Sequence, residues 1–267
     1  MPWAYLDISR PMIAWLTYRG EYFSVDTNHP QAISVFLSER LRGASNGARA
    51  LAIEMAIESR RHDAFPDASS RLRGVYAFQS RDDALRAASI WKLPAFTPDN
   101  LTELEILPGS QVSVHDSEWI THEFASGPGP WIDRYLAGEP HGEHPLPELL
   151  IEGSATILNT PLRERASQIA HDTWPDARAP LEVGRIAFDI GFPLGRMTAT
   201  IRPDTDGVLT VMYDLAFDGN DPKFVEAFGK AIHEPGYPVD WNSLRAIDEE
   251  SWFRVPDMRP FMFRLDE

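Results

Sequence analysis

The sequence predicts an α+β protein in two parts, a larger domain over residues 1–165 and a smaller α+β domain over 166–267. Three observations lead there. In the first third, stretches with helical apolar spacing alternate with short apolar strands. A polar stretch, 163–179, carries acids and proline at Asp172–Asp176 and reads as the boundary. Beyond it the period shifts to strands, two of them joined across Asp206-Gly207, a strong hairpin dipeptide.

Taken in order, Met12–Thr17 is an apolar run expected to form a buried first strand ending in the polar turn Tyr18-Arg19-Gly20. Tyr22, Phe23 and Val25 extend it or begin a second strand. Pro30 suits a first helical position, and Ala32, Ile33, Phe36, Leu37 and Leu41 follow with helical spacing to Gly43. After Ser45-Asn46-Gly47, the alanine-rich stretch 48–61 predicts a second helix. The chain then reaches the stretch that organises the rest, Phe65–Leu85. There a loop with Ser69, Ser70 and Arg71 leads into the strand Gly74–Phe78, and Ser80 with Asp82 and Asp83 marks a helix start.

Short strands are expected at Leu101–Leu107 and Gln111–His115 around Pro108-Gly109, and a further one at Trp119-Ile120. Gly127-Pro128-Gly129-Pro130 breaks the chain before a short helix, Trp131–Ala137. Leu149–Ile151 and Ala155–Leu158 read as a strand pair bent at Gly153. In the last hundred residues, Val183–Phe192, Met197–Arg202 and Val208–Phe217 read as strands. Asp221-Pro222 opens a helix at Lys223–Ile232 with Phe224, Val225 and Phe228 as its stripe. The tail holds Trp241, Trp252, Phe253, Phe261 and Phe263, expected to clamp onto a core.

Composition narrows the function. The 267 residues contain no cysteine, which excludes disulfides, thiolate metal sites and cysteine nucleophiles. The formal charge of −15 argues against a broad electrostatic grip on nucleic acid. The start, MPWAYLDISRPM, has an early acid and no long apolar run, and no stretch approaches a membrane span. A soluble cytoplasmic protein with no membrane partner is the expectation. His141 and His144 lie in a proline-flanked loop rather than on one helix face, so no metal site is expected. No Gly-x-Ser-x-Gly elbow is present, although a Ser–His–acid triad stays open.

Three motifs in order carry a resemblance. They are Tyr18-Arg19-Gly20, then Ser69-Ser70-Arg71-Leu72-Arg73-Gly74-Val75-Tyr76-Ala77-Phe78, then Trp131–Gly138 followed by Pro147-Glu148-Leu149-Leu150-Ile151. Over about residues 12–160 this resembles the ADP-ribosyltransferase fold of bacterial and phage-type members. It departs from them in Ala68-Ser69-Ser70, where a Pro-Ser is usual, and in lacking the Glu-x-Glu of arginine-modifying members. The resemblance implies a split mixed β-sheet domain that binds NAD as its substrate and moves ADP-ribose to a macromolecular acceptor. It implies Glu148 as the catalytic carboxylate, stabilising the positive charge that develops as the nicotinamide–ribose bond breaks. Arg19, with Tyr18 and Gly20, would hold the diphosphate or adenosine ribose, and Ser70 and Arg71 the nicotinamide ribose or phosphates. Tyr76 or Tyr22 would stack on an aromatic ring.

Each residue alone also has a purely structural explanation. Glu148 suits a solvated strand start, with Glu152 as a competing carboxylate; Arg19 suits a surface turn, Arg71 a pairing with Asp67, and Tyr76 a core position. Two rival functions remain: a non-enzymatic acidic interaction or immunity-type inhibitor protein, which the charge suits, and RNA 2′-phosphotransfer on a related fold.

Overall fold

The computed structural model describes residues 1–25, 31–245 and 254–265. In chain order the elements are β1 (Trp3–Tyr5), α1 (Pro11–Arg19), β2 (Glu21–Phe23), β3 (Ala32–Ile33), α2 (Val35–Gly43), α3 (Gly47–Ala64), β4 (Val75–Phe78) and α4 (Arg81–Trp91). Then come β5 (Leu101–Ile106), β6 (Gln111–Asp116), α5 (Glu118–Glu123), α6 (Trp131–Leu136), β7 (Pro147–Glu152), β8 (Ser154–Ile157), α7 (Thr160–Thr173) and α8 (Arg178–Asp189). The chain continues with β9 (Met197–Pro203), β10 (Leu209–Leu215), α9 (Pro222–His233), α10 (Trp241–Arg245) and β11 (Phe263–Arg264).

The α+β class holds. Among the described residues every strand pairing is antiparallel, so the sheet is not the mixed one expected. Seven strands follow the order β2-β8-β5-β1-β4-β7-β6, and four form a second sheet, β11-β10-β9-β3. The strand pair bent at Gly153 is present: β7 runs into β8 through Gly153 at φ 134°. β7 pairs with β4 and β6, whereas β8 pairs with β5 and β2. The sheet therefore divides at this bend.

The run read as a first strand is α1, with Pro11 in the first turn and Gly20 as a left-handed stop at φ 94°. Met12 to Thr17 are all buried, so no polar face marks the period and a short apolar run cannot reveal it. The Pro-start, Gly-stop pair was the usable signal. Most of Val183–Phe192 is α8, and here a helical period is present: Glu182, Arg185 and Asp189 recur at helical spacing, and Arg185 pairs with both acids. Trp119 and Ile120 lie on α5 rather than a strand. Ala32-Ile33, expected in a helix, form β3; that helix starts later, at Val35, where Ser34 Oγ accepts from Leu37 N. Pro30, its expected start, and Trp252 and Phe253 of the tail lie outside the described residues.

The remaining expectations fare better. Ser80 caps α4 by accepting from Asp83 N, and Asp221 caps α9 by accepting from Lys223 N. β9 and β10 form the Asp206-Gly207 hairpin. Of the α9 stripe, Phe224 is buried but Val225 is 57% exposed. Phe261 packs edge-on against Trp174, as a clamp should, whereas Trp241 is exposed.

The expected boundary at 165 is crossed in two ways. β3, from the N-terminal part, pairs with β9 as an edge of the second sheet. The largest hydrophobic cluster also runs from Ala4, Trp15 and Ile151 to Leu181, Met197 and Leu265. Large apolar side chains removed from water at roughly 1.5–3 kcal/mol each make such a shared core the main tie between the parts.

Candidate functional site

Side chains alternate along β7. Leu149 and Ile151 enter the main core, which leaves Glu148 and Leu150 on the other face. Register then chooses Glu148's neighbours, because it lies opposite Phe78 on β4 and opposite His115 on β6. A separate apolar layer joins α3 to α6 through Ile53, Ile57, Trp131, Ile132 and Tyr135. α3 also carries Glu54 and α6 carries Tyr135, and these two meet Glu148 around one buried cation.

That cation is Arg71, 1% exposed. Its Nε and Nη2 donate to the two oxygens of Glu54 at 3.0 and 3.2 Å. Its Nη1 donates to Tyr135 Oη at 2.6 Å and to Glu148 Oε1 at 2.8 Å. Tyr135 Oη in turn donates to Glu148 Oε1 at 2.6 Å. Burial opposes the guanidinium charge, but Glu54 together with Tyr135, Tyr76 and Glu148 outweighs it and raises the Arg71 pKa well above the ordinary arginine range. Burial alone would push the Glu54 carboxyl up; Arg40 and Arg71 together bring it below the usual range. Tyr135 is held well above the phenol range by burial and by Glu148, so it stays a donor.

Glu148 is 7% exposed. Both of its bonds end on Oε1, and no hydrogen bond from the described residues ends on Oε2. One oxygen fixes the carboxylate while the other remains available.

A second chain of bonds supports Tyr135 from behind. His115 Nδ1 lies 2.8 Å from the Tyr135 carbonyl, which can only accept, so Nδ1 carries the proton. Nε2 is then an acceptor, 2.7 Å from Ser113 Oγ, which donates to it and accepts from Ser69 N. Burial lowers the His115 pKa, which favours this neutral form. The imidazole also stacks on the Tyr135 ring, with centroids 4.7 Å apart.

Toward solvent the wall is Arg40 and two aromatic rings. Arg40 pairs with Glu54, its side chain is 41% exposed, and its guanidinium lies 5.3 Å from the Tyr76 ring and 6.0 Å from that of Phe124. The Arg71 guanidinium also lies 5.0 Å from the Tyr76 ring. Tyr76 Oη donates to the Arg71 carbonyl at 2.7 Å, and burial pushes its pKa up to about 12. Tyr22 supports the same strand, donating to the Tyr76 carbonyl at 2.6 Å.

Of the residues the sequence nominated, Arg71, Tyr76 and Glu148 are brought together. Ser70 adjoins them, but its N–H donates to Glu152 and its Oγ accepts from Arg73 N. Glu152, the competing carboxylate, thus anchors the loop. Arg71 pairs with Glu54 and Glu148, not with Asp67.

The motif Tyr18-Arg19-Gly20 belongs to another cluster. Arg19, 0% exposed, pairs with Glu21 and donates to the carbonyls of Phe192 and Leu194. Burial draws its pKa down to about 10. Tyr18 Oη donates to Glu182 at 2.7 Å, and Gly20 ends α1 while its carbonyl accepts from Ile157 N at 2.9 Å. None of the three bonds to Ser70, Arg71, Tyr76 or Glu148.

Glu54, Tyr135, Arg40 and His115 are the members that sequence reading missed. Two left a signal: Glu54 sits among Leu51, Ile57 and Arg61 on the buried stripe of α3, and Tyr135 follows Trp131 and Ile132 on that of α6. A charged residue on an apolar stripe calls for a buried partner.

No protein-family model matches the chain, and the search of curated proteins returns no match. Among the described residues, no helix is long and apolar enough to cross a membrane, and no group of three or more potential ligand side chains is placed to hold a metal ion.

Proposed function

We propose that the protein is an NAD-dependent ADP-ribosyltransferase whose reacting ribose sits at Glu148. The observation that carries the reading is the Glu148 carboxylate, fixed through Oε1 by Arg71 and Tyr135 with Oε2 unbonded by the described residues. As the C1′–nitrogen bond of NAD breaks, its electron pair leaves on neutral nicotinamide and the ribose acquires oxocarbenium-like charge. Glu148 Oε2 accepts from the ribose 2′-hydroxyl and stabilises that charge, worth most where water is excluded. The acceptor's nucleophile then bonds to C1′ and gives up its proton to solvent water.

The roles of the nominated residues shift in this account. Arg71 and Tyr135 position the carboxylate, since the Arg71 fork is already shared between Glu54 and Glu148. Arg40, half-exposed beside Tyr76 and Phe124, takes the diphosphate, and Phe124 offers the aromatic surface. Arg19 has no part in it.

The test is nicotinamide release from NAD by wild type and by Glu148→Gln, with and without candidate macromolecular acceptors. Release by wild type that falls at least about a hundredfold in Glu148→Gln is expected, the scale of losing one preorganised electrostatic group. Full activity in Glu148→Gln would move the site elsewhere. No NAD binding and no turnover would leave the acidic interaction protein as the reading.

A further inference from the structure

A concavity lies far along the chain, between the loop after α8 and the start of α9. It has a volume of about 180 Å³. Drug-sized ligands occupy roughly 300–1,000 Å³, so it suits a chemical group of a few heavy atoms rather than a dinucleotide. Leu194 and Phe224 form its buried floor, Phe192 and Phe217 its half-buried sides, and the exposed Asp218 and Asp221 its rim. No basic residue lines it.

The wall is built from below. Residues 192–195 lie between α8 and β9, yet three of their carbonyls are held by deeply buried side chains of α1. Arg19 donates to Phe192 O at 2.8 Å and Leu194 O at 3.0 Å, and Trp15 Nε1 donates to Gly195 O at 2.9 Å. The loop also hydrogen-bonds to the end of β10, Gly195 N to Ala216 O at 2.7 Å. On the other side Phe224 meets Phe192 edge to face at 5.4 Å. The cavity is thus held open by the fold rather than formed by chance between loose loops.

Its lining brings phenyl rings and carboxylates together. Phenyl rings attract a cation through the negative charge of their faces, and two carboxylates at the mouth add to that attraction. Asp218 Oδ1 accepts from Asn220 N and Asp221 Oδ1 from Lys223 N, and no hydrogen bond from the described residues ends on either Oδ2. The partial positive charge at the start of α9 is met by the Asp221 cap itself. We propose that this cavity binds the head of a small organic cation, an alkylated ammonium group. That group comes either from a free metabolite or from a lysine side chain of another protein.

The experiment is a calorimetric titration of the full chain with choline and with 3,3-dimethylbutan-1-ol, its uncharged counterpart in shape. Saturable choline binding is expected, about tenfold tighter than the alcohol, the order of one cation–π contact plus a charge pair. Asp218→Asn with Asp221→Asn should remove the charge-pair part of that factor, weakening choline about threefold without moving the alcohol. Asparagine keeps the α9 cap, so this variant should fold, as its circular dichroism and Tm will check. A peptide carrying trimethyl-lysine separates the sources: tighter binding than choline points to a protein side chain, equal or weaker binding to a free cation. Equal affinity for choline and the alcohol would overturn the proposal, as would an unchanged choline affinity in the double variant or no saturable binding of choline.

Discussion

Replacing Arg71 by methionine keeps an unbranched, flexible side chain, shorter by the guanidinium, and removes its charge and all of its hydrogen-bond donors. In the wild type that charge answers Glu54, 0% exposed, and Glu148, 7% exposed, through three hydrogen bonds of 2.8–3.2 Å. It also donates to Tyr135 Oη, which would lose its donor while still facing Glu148. Glu54 keeps Arg40, so the stranding falls mainly on Glu148. Removing one partner of a buried pair costs about 3–5 kcal/mol, because the other charge is left desolvated and unanswered. For a chain of this size that corresponds to a Tm lower by about 6–20 °C, at roughly 2–4 °C per kcal/mol. Urea unfolding of wild type and Arg71→Met at neutral pH measures it directly. A loss under about 1 kcal/mol at neutral pH would show that the pair behaves like an exposed one, and the buried-cluster account would fail.

Other outcomes follow from neighbouring features. Tyr135→Phe removes one donor to Glu148 and one acceptor from Arg71, and should cost about 1–3 kcal/mol in urea unfolding. Gly74→Ala would set a Cβ 2.5 Å from the Ser70 carbonyl oxygen in the tight turn before β4; backbone must move, so a loss of at least about 1–3 kcal/mol is expected, and a neutral change would refute that turn. His115 has its pKa lowered by burial, so the unfolded chain binds the proton more readily. Its share of stability is therefore present above the ordinary histidine pKa of about 6.5 and is lost as pH falls through it. His115→Asn should flatten the rise in unfolding free energy between about pH 5 and 7 relative to wild type.

The parts of the fold legible in the sequence were those with local chemistry. Ser80 with its following acids, Asp221-Pro222 and Asp206-Gly207 each satisfy a backbone need within a few residues, and each lies where it was expected. α1 was misread because nearly every side chain on it is buried, and periodicity is visible only when one face is polar. α8 does carry such a signal, missed in its reading as a strand: Glu182, Arg185 and Asp189 stand at helical spacing. The polarity of 163–173 has a local cause: α7 shows much of its surface to solvent, while Leu162, Ala166 and Ala170 pack into the largest core cluster. At the site, Arg71, Tyr76 and Glu148 could be nominated because β4 and β7 read as strands with clear starts. Arg19 was misassigned along with its strand. As the last residue of a buried helix it points its guanidinium at the carbonyls of Phe192 and Leu194, a contact spanning most of the chain. Glu54 and Tyr135 mark buried stripes on α3 and α6, but that the two stripes meet around Arg71 depends on how these helices pack together, which no local pattern encodes.

The central claim is that Glu148, held by Arg71 and Tyr135, is the reacting carboxylate of an NAD site walled by Arg40. It is tested most directly by the steady-state kinetics of nicotinamide release for Glu148→Gln and Arg40→Met beside wild type. The account predicts turnover by wild type, a kcat lowered at least about a hundredfold in Glu148→Gln with KM little changed, and a raised KM in Arg40→Met. Undiminished kcat in Glu148→Gln, or a wild type that neither binds nor cleaves NAD, would contradict it.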